Sequence, residues 1–318
     1  MTKSSETAYD LVVFGATSFV GQILTRYLLE TYGVGQSVKW AIAGRSESKL
    51  NTLKGELGSK AKDLPVILAD ASDEAALKAM CEQTRVIIST VGPYALYGEP
   101  LVQACVRSGT DYCDLTGEVQ WIRKMVERYE EEAKSSGARI VHCCGFDSIP
   151  SDMGVWFLQN QAEQTFGAPC RDVRMRVKTA KGEFSGGTVA SLMNAVKEAA
   201  ADPKLRKQMA NPFSICPPEH RSKTRQPSLK GAEYDKTFNA WLAPFVMAAI
   251  NTRVVHRSNA LQNARYGKEF TYDEAMMTGR GTKGRLAAYA VTGGLGAFLM
   301  ASAVKPTRWL LEKFVPKP

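Results

Sequence analysis

The sequence predicts an α/β fold, a doubly wound parallel sheet over residues 1–145 followed by a second α+β domain over 146–318. Three observations carry that expectation. Residues 10–21 read DLVVFGATSFVG: a short unbroken apolar run, a glycine turn and the start of a helix, as a central strand buried on both faces requires. Strand-length apolar runs and helical periods then alternate as far as Cys144, the pattern of a parallel sheet. Beyond that point the charge changes. Residues 1–145 hold 16 basic and 18 acidic side chains (−2), whereas 146–318 hold 25 and 14 (+11).

The first turn is read as an anion cradle. Gly15 lets the chain turn sharply after the strand, and Gly21 lets the helix pack close to it. Between them Thr17, Ser18, Phe19 and Val20 present backbone N–H groups at a helix start, where a dinucleotide pyrophosphate sits. Ser18 occupies the middle position usually held by glycine. Phe19, Val20, Ile23, Leu24, Tyr27 and Leu28 recur at helical spacing, and the helix ends near Gly33. This is a Rossmann-type arrangement.

The second strand, 38–43, leads to Gly44-Arg45-Ser46. NAD-specific folds place an acidic residue there for the ribose 2′-hydroxyl. Here Arg45 can pair with a 2′-phosphate and stack on adenine, with Ser46 adding a hydrogen bond, so NADP (NADPH) is the expected cofactor. Strand 64–69 ends in Asp70, which either accepts from the adenine amino group or caps the next helix. Strand 86–90 exits through Thr90-Val91-Gly92-Pro93-Tyr94-Ala95-Leu96-Tyr97-Gly98. Loops at the carboxyl ends of such strands line the ligand crevice, so Thr90, Val91, Gly92 and Pro93 are assigned to the cofactor's nicotinamide end. Tyr94 and Tyr97 are the expected proton donors, with aromatic packing as the alternative. Helix 99–108, strand 111–114, helix 119–136 and strand 139–144 complete the first domain, and His142 is placed in the core of the last strand.

In the second half, Asp147 and Ser148 either touch substrate or cap a helix beginning near Pro150. Residues 172–178, DVRMRVK, alternate strictly and predict a one-sided antiparallel strand with a solvated basic face. Ser185-Gly186-Gly187-Thr188 opens a helix over 189–201. Residues 202–235, rich in Pro, Lys and Arg, read as a long irregular connection containing His220. Residues 241–250 form a nearly continuous apolar decad, read as a buried or ligand-lining helix followed by His256. Residues 286–304 are nineteen residues without a charge, about 28 Å as helix, with basic residues at both ends. The expectation there is either docking on a membrane or lipid surface or burial against protein, including a second subunit in a homodimer.

Composition narrows the classes. The 318 residues suffice for two domains, and 44% hydrophobic with 23% charged residues is ordinary for a folded protein. The N-terminus MTKSSETAYD is polar, with no secretory signal, and the seven cysteines are scattered. A reducing, cytoplasmic location, peripheral to membrane where residues 286–304 dock, and no metal site are therefore expected. No zinc finger, RNP-type motif or aromatic-interleaved basic stripe is present, so nucleic acid is not an expected partner. The basic second half suits an anionic membrane surface or an acidic protein.

Taken together, GATSFVG, AGRS, VGPYALYG, YCDLTGE and CCGFDSIPSDMG resemble the saccharopine dehydrogenase-like oxidoreductases, over residue 9 to the end of the chain. Within them the chain is most similar to the branch containing the trans-acting enoyl reductases of mycobacterial lipid synthesis and a lipid-droplet-associated animal relative. The resemblance implies NADPH-dependent reduction of an activated C=C bond in a lipid-like or polyketide-like acyl substrate, with an acyl carrier protein as a candidate partner. Members of that family usually carry further strands of the second domain after the equivalent of residues 314–318, so the expectation is either a naturally short form or a second-domain sheet lacking its C-terminal strands. Two alternatives stay open: C=N or C=O reduction of the saccharopine or opine type, and a non-catalytic NADP-binding protein docked on lipid surfaces.

Overall fold

A computed structural model describes residues 7–180, 186–220 and 222–314, without the side chains of His220, Glu312 and Phe314. It divides into two units, one of residues 7–144 with 186–191, the other of 145–180 with 192–314.

In the first unit, β1 (Tyr9–Phe14), β2 (Trp40–Gly44), β3 (Val66–Leu68), β4 (Thr84–Ser89), β5 (Asp111–Asp114) and β6 (Ile140–Val141) form one sheet in the order β3-β2-β1-β4-β5-β6. Every neighbouring pair is parallel. The chain builds outward from β1 on one side, then returns to its other side at β4. Such a reversal opens a crevice at the carboxyl ends of β1 and β4. The connecting helices are α1 (Phe19–Tyr32), α2 (Glu47–Leu57), α3 (Glu74–Glu82), α4 (Tyr94–Tyr97), α5 (Glu99–Ser108) and α6 (Val119–Ser136). Val12, Val13, Ala41, Ile42 and Ile87 are fully buried, which is why these strands read as unbroken apolar runs.

Two expectations change here. On α1 the buried residues are Gly21, Thr25, Leu28 and Leu29, while Phe19, Ile23 and Tyr27 form an exposed stripe. Strand β6 is only two residues long. Cys143 adopts a left-handed backbone (φ 62°) and the Cys144 N–H turns to the Asp114 carbonyl at 2.7 Å, so pairing stops at Val141.

In the second unit, β7 (Asp172–Val177), β8 (Glu233–Asp235), β9 (Ala240–Pro244) and β10 (Thr271–Gly279) form a sheet in the order β7-β10-β9-β8. Its helices are α7 (Ile149–Phe166), α8 (Gly186–Ala201, the first residues of which group with the first unit), α9 (Pro203–Ala210), α10 (Ala248–Leu261), α11 (Gly281–Ala303) and α12 (Lys305–Phe314). The pair β8–β9 and the pair β9–β10 are antiparallel. β7, however, runs parallel to β10, against the antiparallel expectation. Side-chain alternation reports a one-sided strand but carries no information on direction.

Its basic face is only partly solvated. Arg176 is buried between Asp273 (2.9 Å) and Asp235 (3.5 Å), with its guanidinium over the Phe238 ring. The apolar decad 241–250 divides into β9 and the start of α10, because a strand buried on both faces and a buried helix look alike in a short window. The Pro-rich connection contains α9, capped by Asp202 at the amides of Lys204 and Leu205. Ser185 lies outside the described residues. Helix α11 packs on β9 and β10. Near its start Arg285 lies over the rings of Trp241 and Tyr289. Farther along, Met300 is 70% exposed, and little of the helix is buried.

Candidate functional site: the carboxyl edge of the parallel sheet

Because all six strands of the first unit are parallel, their exits lie along one edge. The β1–α1 turn is the tightest of them. Gly15 has φ +86°, and a Cβ there would meet Val91 Cγ2 at 2.7 Å and Thr90 Oγ1 at 2.8 Å. A Cβ on Gly21 would lie 2.2 Å from the Gly15 carbonyl oxygen. Neither position accepts a side chain.

Ser18 shows why a serine fits the usual glycine position. Its Oγ accepts from the Gly21 amide (3.0 Å) as the helix N-cap and lies 2.9 Å from Thr90 Oγ1, which in turn donates to the Gly15 carbonyl (2.8 Å). Assigned consistently, the chain of donors runs Gly21 N–H to Ser18, Ser18 to Thr90, Thr90 to Gly15. The hydroxyl is thus tied into the turn. The amides of Thr17, Phe19 and Val20 have no acceptor among the described residues, leaving N–H groups at the positive end of α1 for an anion.

At the end of β2, Arg45 is exposed and forms no ion pair among the described residues, while Ser46 caps α2 by accepting from Lys49 N (3.4 Å). Asp70 follows β3. It does not cap α3, a task that falls to Asp73. Asp70 accepts instead from the Ser72 hydroxyl (2.7 Å) and amide (2.9 Å), and these bonds, with the nearby Arg45 charge, hold its carboxyl below the usual range. Thr90, Val91, Gly92 and Pro93 run from β4 directly past Gly15.

The two tyrosines of the following helix part company. Tyr94 is 6% exposed, and its hydroxyl donates to the Ser89 carbonyl (3.0 Å) and accepts from the Leu115 amide (3.2 Å). Burial, then the Asp114 and Glu118 charges, raises its phenol well above the usual value. Tyr94 is therefore a strut joining the ends of β4 and β5, a correction to its expected place among the proton donors. Tyr97 is 49% exposed, and its hydroxyl has no hydrogen bond among the described residues. Glu118 seats α4: its carboxylate accepts from the amides of Tyr94 (2.8 Å) and Ala95 (3.0 Å) and from the Ser191 hydroxyl (2.9 Å).

One arrangement was not foreseen. His142, expected in the strand core, lies just past β6, and its Nδ1 is 2.7 Å from the buried Asp114 carboxylate. Asp114 also accepts from the Tyr112 hydroxyl and the Thr116 and Cys143 amides. The imidazole is held edge-on to Trp121 and Tyr112. A carboxylate that fixes one ring nitrogen sets tautomer and orientation for the other. The signal was available in principle, since β5 and β6 are neighbours in a parallel sheet and residues just past their ends must meet.

Edge, turn and exposed arginine define a class: a dinucleotide-binding α/β protein with an NADP-type ribose site. Arg45 and Ser46 rather than an acidic residue directly follow β2, and neither Gly15 nor Gly21 has room for a Cβ. Comparison with known proteins agrees. Residues 11–141 match the saccharopine dehydrogenase NADP-binding domain family. A Mycobacterium tuberculosis protein named provisionally as a trans-acting enoyl reductase is 39% identical over 98% of this chain and 75% of its own. Trans-acting enoyl reductases of Mycobacterium bovis (37% identical) and Mycobacterium ulcerans (36%) are each matched over 99% of this chain and 77% of theirs. Among solved structures, a saccharopine dehydrogenase from Saccharomyces cerevisiae shares 16% identity over 58% of this chain and 41% of that one, with a TM-score of 0.43. The chain belongs to the trans-acting enoyl reductase family and is an NADP-dependent oxidoreductase.

Proposed function

We propose that the protein reduces the activated C=C bond of a lipid-like or polyketide-like acyl substrate. The observation that carries this reading is the near full-length identity to relatives named trans-acting enoyl reductases, on a chain with its own NADP-type turn. In this reading the amides of Thr17, Phe19 and Val20, between Gly15 and Gly21, hold the pyrophosphate, with Ser18 shaping the turn. Arg45 and Ser46 take the 2′-phosphate, with Asp70 beside the adenine and Thr90–Pro93 beside the nicotinamide.

Bound NADPH supplies the hydride. The protein's part is to orient the acyl group, exclude water and deliver a proton to the α-carbon as the β-carbon is reduced. Tyr97 is the proposed donor, since its hydroxyl is half-exposed and uncommitted. His142 is the second candidate, favoured by the Asp114 contact that fixes its ring. The acyl group is offered by a carrier protein, whose acidic surface the +11 second half complements. Helix α11, 23 residues and apolar, is proposed to rest on a lipid surface rather than cross it, at the cytoplasmic side; homodimer contact through this helix is the alternative.

NADPH oxidation tests the reading with three substrate classes side by side: 2-enoyl thioesters, ketones and imines. Turnover of the enoyl thioester alone is expected. Turnover of ketones or imines alone shifts the assignment to carbonyl or imine reduction, and none with any class leaves a cofactor-binding protein. Liposome flotation at low salt, with and without charges placed in 286–304, checks the docking surface.

A further inference from the structure

Two neighbouring sets of buried polar groups in the second unit differ in how they are satisfied. Around the start of α7, Ser148 donates to Asn251 (2.9 Å), Asn251 donates to Ser151 and Glu274, and Tyr272 donates to Glu274 (2.7 Å). That network closes on itself. His256 on α10 does not belong to it. The side chain is 3% exposed, its ring lies 4.9 Å from Phe213 and 5.9 Å from Phe270, and its Nε2 has no hydrogen-bond partner among the described residues. Burial, and the neighbouring Arg253 charge, push it down to about 4, so the imidazole is neutral near pH 7. Leaving a buried polar nitrogen unpaired costs roughly 1–3 kcal/mol, and such a group calls for a reason.

His256 lines a cavity of about 450 Å³, within the range of small-molecule sites. Its apolar lining includes Phe213, Cys216, Ala260 and Phe270, and Lys223, Lys268, Glu219 and Glu269 line it too. Three other polar lining side chains are already engaged: the Ser222 and Thr224 hydroxyls both donate to the Lys268 carbonyl, and the Asn259 amide binds the Tyr266 N–H and the Gly267 carbonyl, while Asn263 also lines the cavity. Glu269 faces Arg171 at 3.8 Å, whereas neither lysine has an ion pair among the described residues. Counting Arg171, three cations stand against two carboxylates. The wall is built, too. Arg253 and Arg257 donate to the carbonyls of Met209 and Ile215, pinning the segment that carries Phe213 and Cys216 against α10.

We propose that this cavity binds a monoanionic amphiphile, a medium-chain acyl or aryl carboxylate. Its body lies against Phe213, Ala260 and Phe270, and its carboxylate meets Lys223 and Lys268, with the His256 imidazole as the polar contact on the wall. Nothing in the site depends on NADPH or on the reductase assignment.

Calorimetric titration of the full chain with octanoate, without NADPH, is the test, with octan-1-ol as a neutral control. Saturable one-to-one binding of octanoate is expected. Reversing both exposed lysines (Lys223→Glu with Lys268→Glu) should weaken octanoate at least tenfold and leave octan-1-ol unchanged. In a parallel NMR titration with octanoate, the imidazole signal assigned to His256 by His256→Gln should move. Absence of saturable octanoate binding, unchanged affinity in the lysine variant, or binding that leaves the His256 signal in place would each overturn the site.

Discussion

The two units spend their polar groups in opposite ways. In the first, hydroxyls, amides and carboxylates gather at the strand exits and satisfy one another: Ser18 with Thr90 and Gly21, Glu118 with Tyr94 and Ala95, Asp114 with His142 and Tyr112. In the second, desolvation dominates several buried ionisable groups. Burial raises Glu274 despite its hydrogen bonds, raises Asp152 against one Ser258 contact, and depresses His256. The first unit presents the amides of Thr17, Phe19 and Val20 without acceptors among the described residues at the start of α1. The second trades stability for buried groups that shape cavities. The difference teaches where to look for each role: positioning of cofactor at the hydrogen-bonded strand exits, ligand chemistry where burial shifts ionisable groups away from their charged forms.

The comparison is broken most severely at Gly21. Gly21→Ala places a Cβ against the Gly15 carbonyl, so the turn must open. Loss of measurable NADPH binding is expected, with a destabilisation of about 3 kcal/mol in denaturant titration. An alanine variant that binds NADPH normally would show that the turn is not the cradle.

On the second unit's side, pH is the sharper tool. The pKa of His256 is about 4 folded and about 6.5 unfolded, so between these values the unfolded chain binds the extra proton. Its contribution to stability is complete above pH 6.5 and falls as pH drops towards 4, by about 3 kcal/mol at most. Glu274 runs the other way: its raised carboxyl favours the fold below its unfolded pKa and loses that contribution as pH rises through the folded value. Comparing unfolding free energies of wild type and His256→Phe at several pH values isolates the histidine. The variant should lose the acid slope between pH 6.5 and 4 and keep the rest.

Arg45→Ala should weaken NADPH by roughly 10–100-fold, the worth of a charge-assisted contact, and leave NADH nearly unchanged. Equal loss for both cofactors removes the 2′-phosphate role. The smallest expected effects separate the tyrosines. Tyr94→Phe removes a buried hydroxyl and strands the Ser89 carbonyl and Leu115 amide, costing about 1–3 kcal/mol of stability. Tyr97→Phe should leave stability within about 0.5 kcal/mol and lower kcat with KM held. If kcat is unchanged and His142→Gln lowers it instead, the proton comes from the dyad.

Much of this was legible in the sequence. The first unit declares itself because its strands are buried on both faces and its glycines are forced, so local pattern and global position agree. Ser18 was legible only as an exception; that its hydroxyl caps α1 and reaches Thr90, 72 residues away, is a tertiary fact. The Asp114–His142 pair was hidden because a histidine inside an apolar run looks like core. Residues 241–250 were misread as one helix since β9 and the start of α10 share an apolar composition, with Pro244 at the junction the only break. The direction of β7 left no trace in its alternation. The His256 nitrogen, without a partner among the described residues, had no signal at all: burial without a hydrogen bond is a property of surroundings, not of spacing.

The central claim is enoyl reduction by NADPH at this edge, and the fate of a labelled hydride tests it most directly. With NADPH deuterated at the transferable position and a 2-enoyl thioester as substrate, the product should carry one deuterium on the β-carbon and one solvent proton on the α-carbon. Deuterium on a carbonyl carbon, or unlabelled thioester recovered unchanged while NADPH stays bound, would contradict the account.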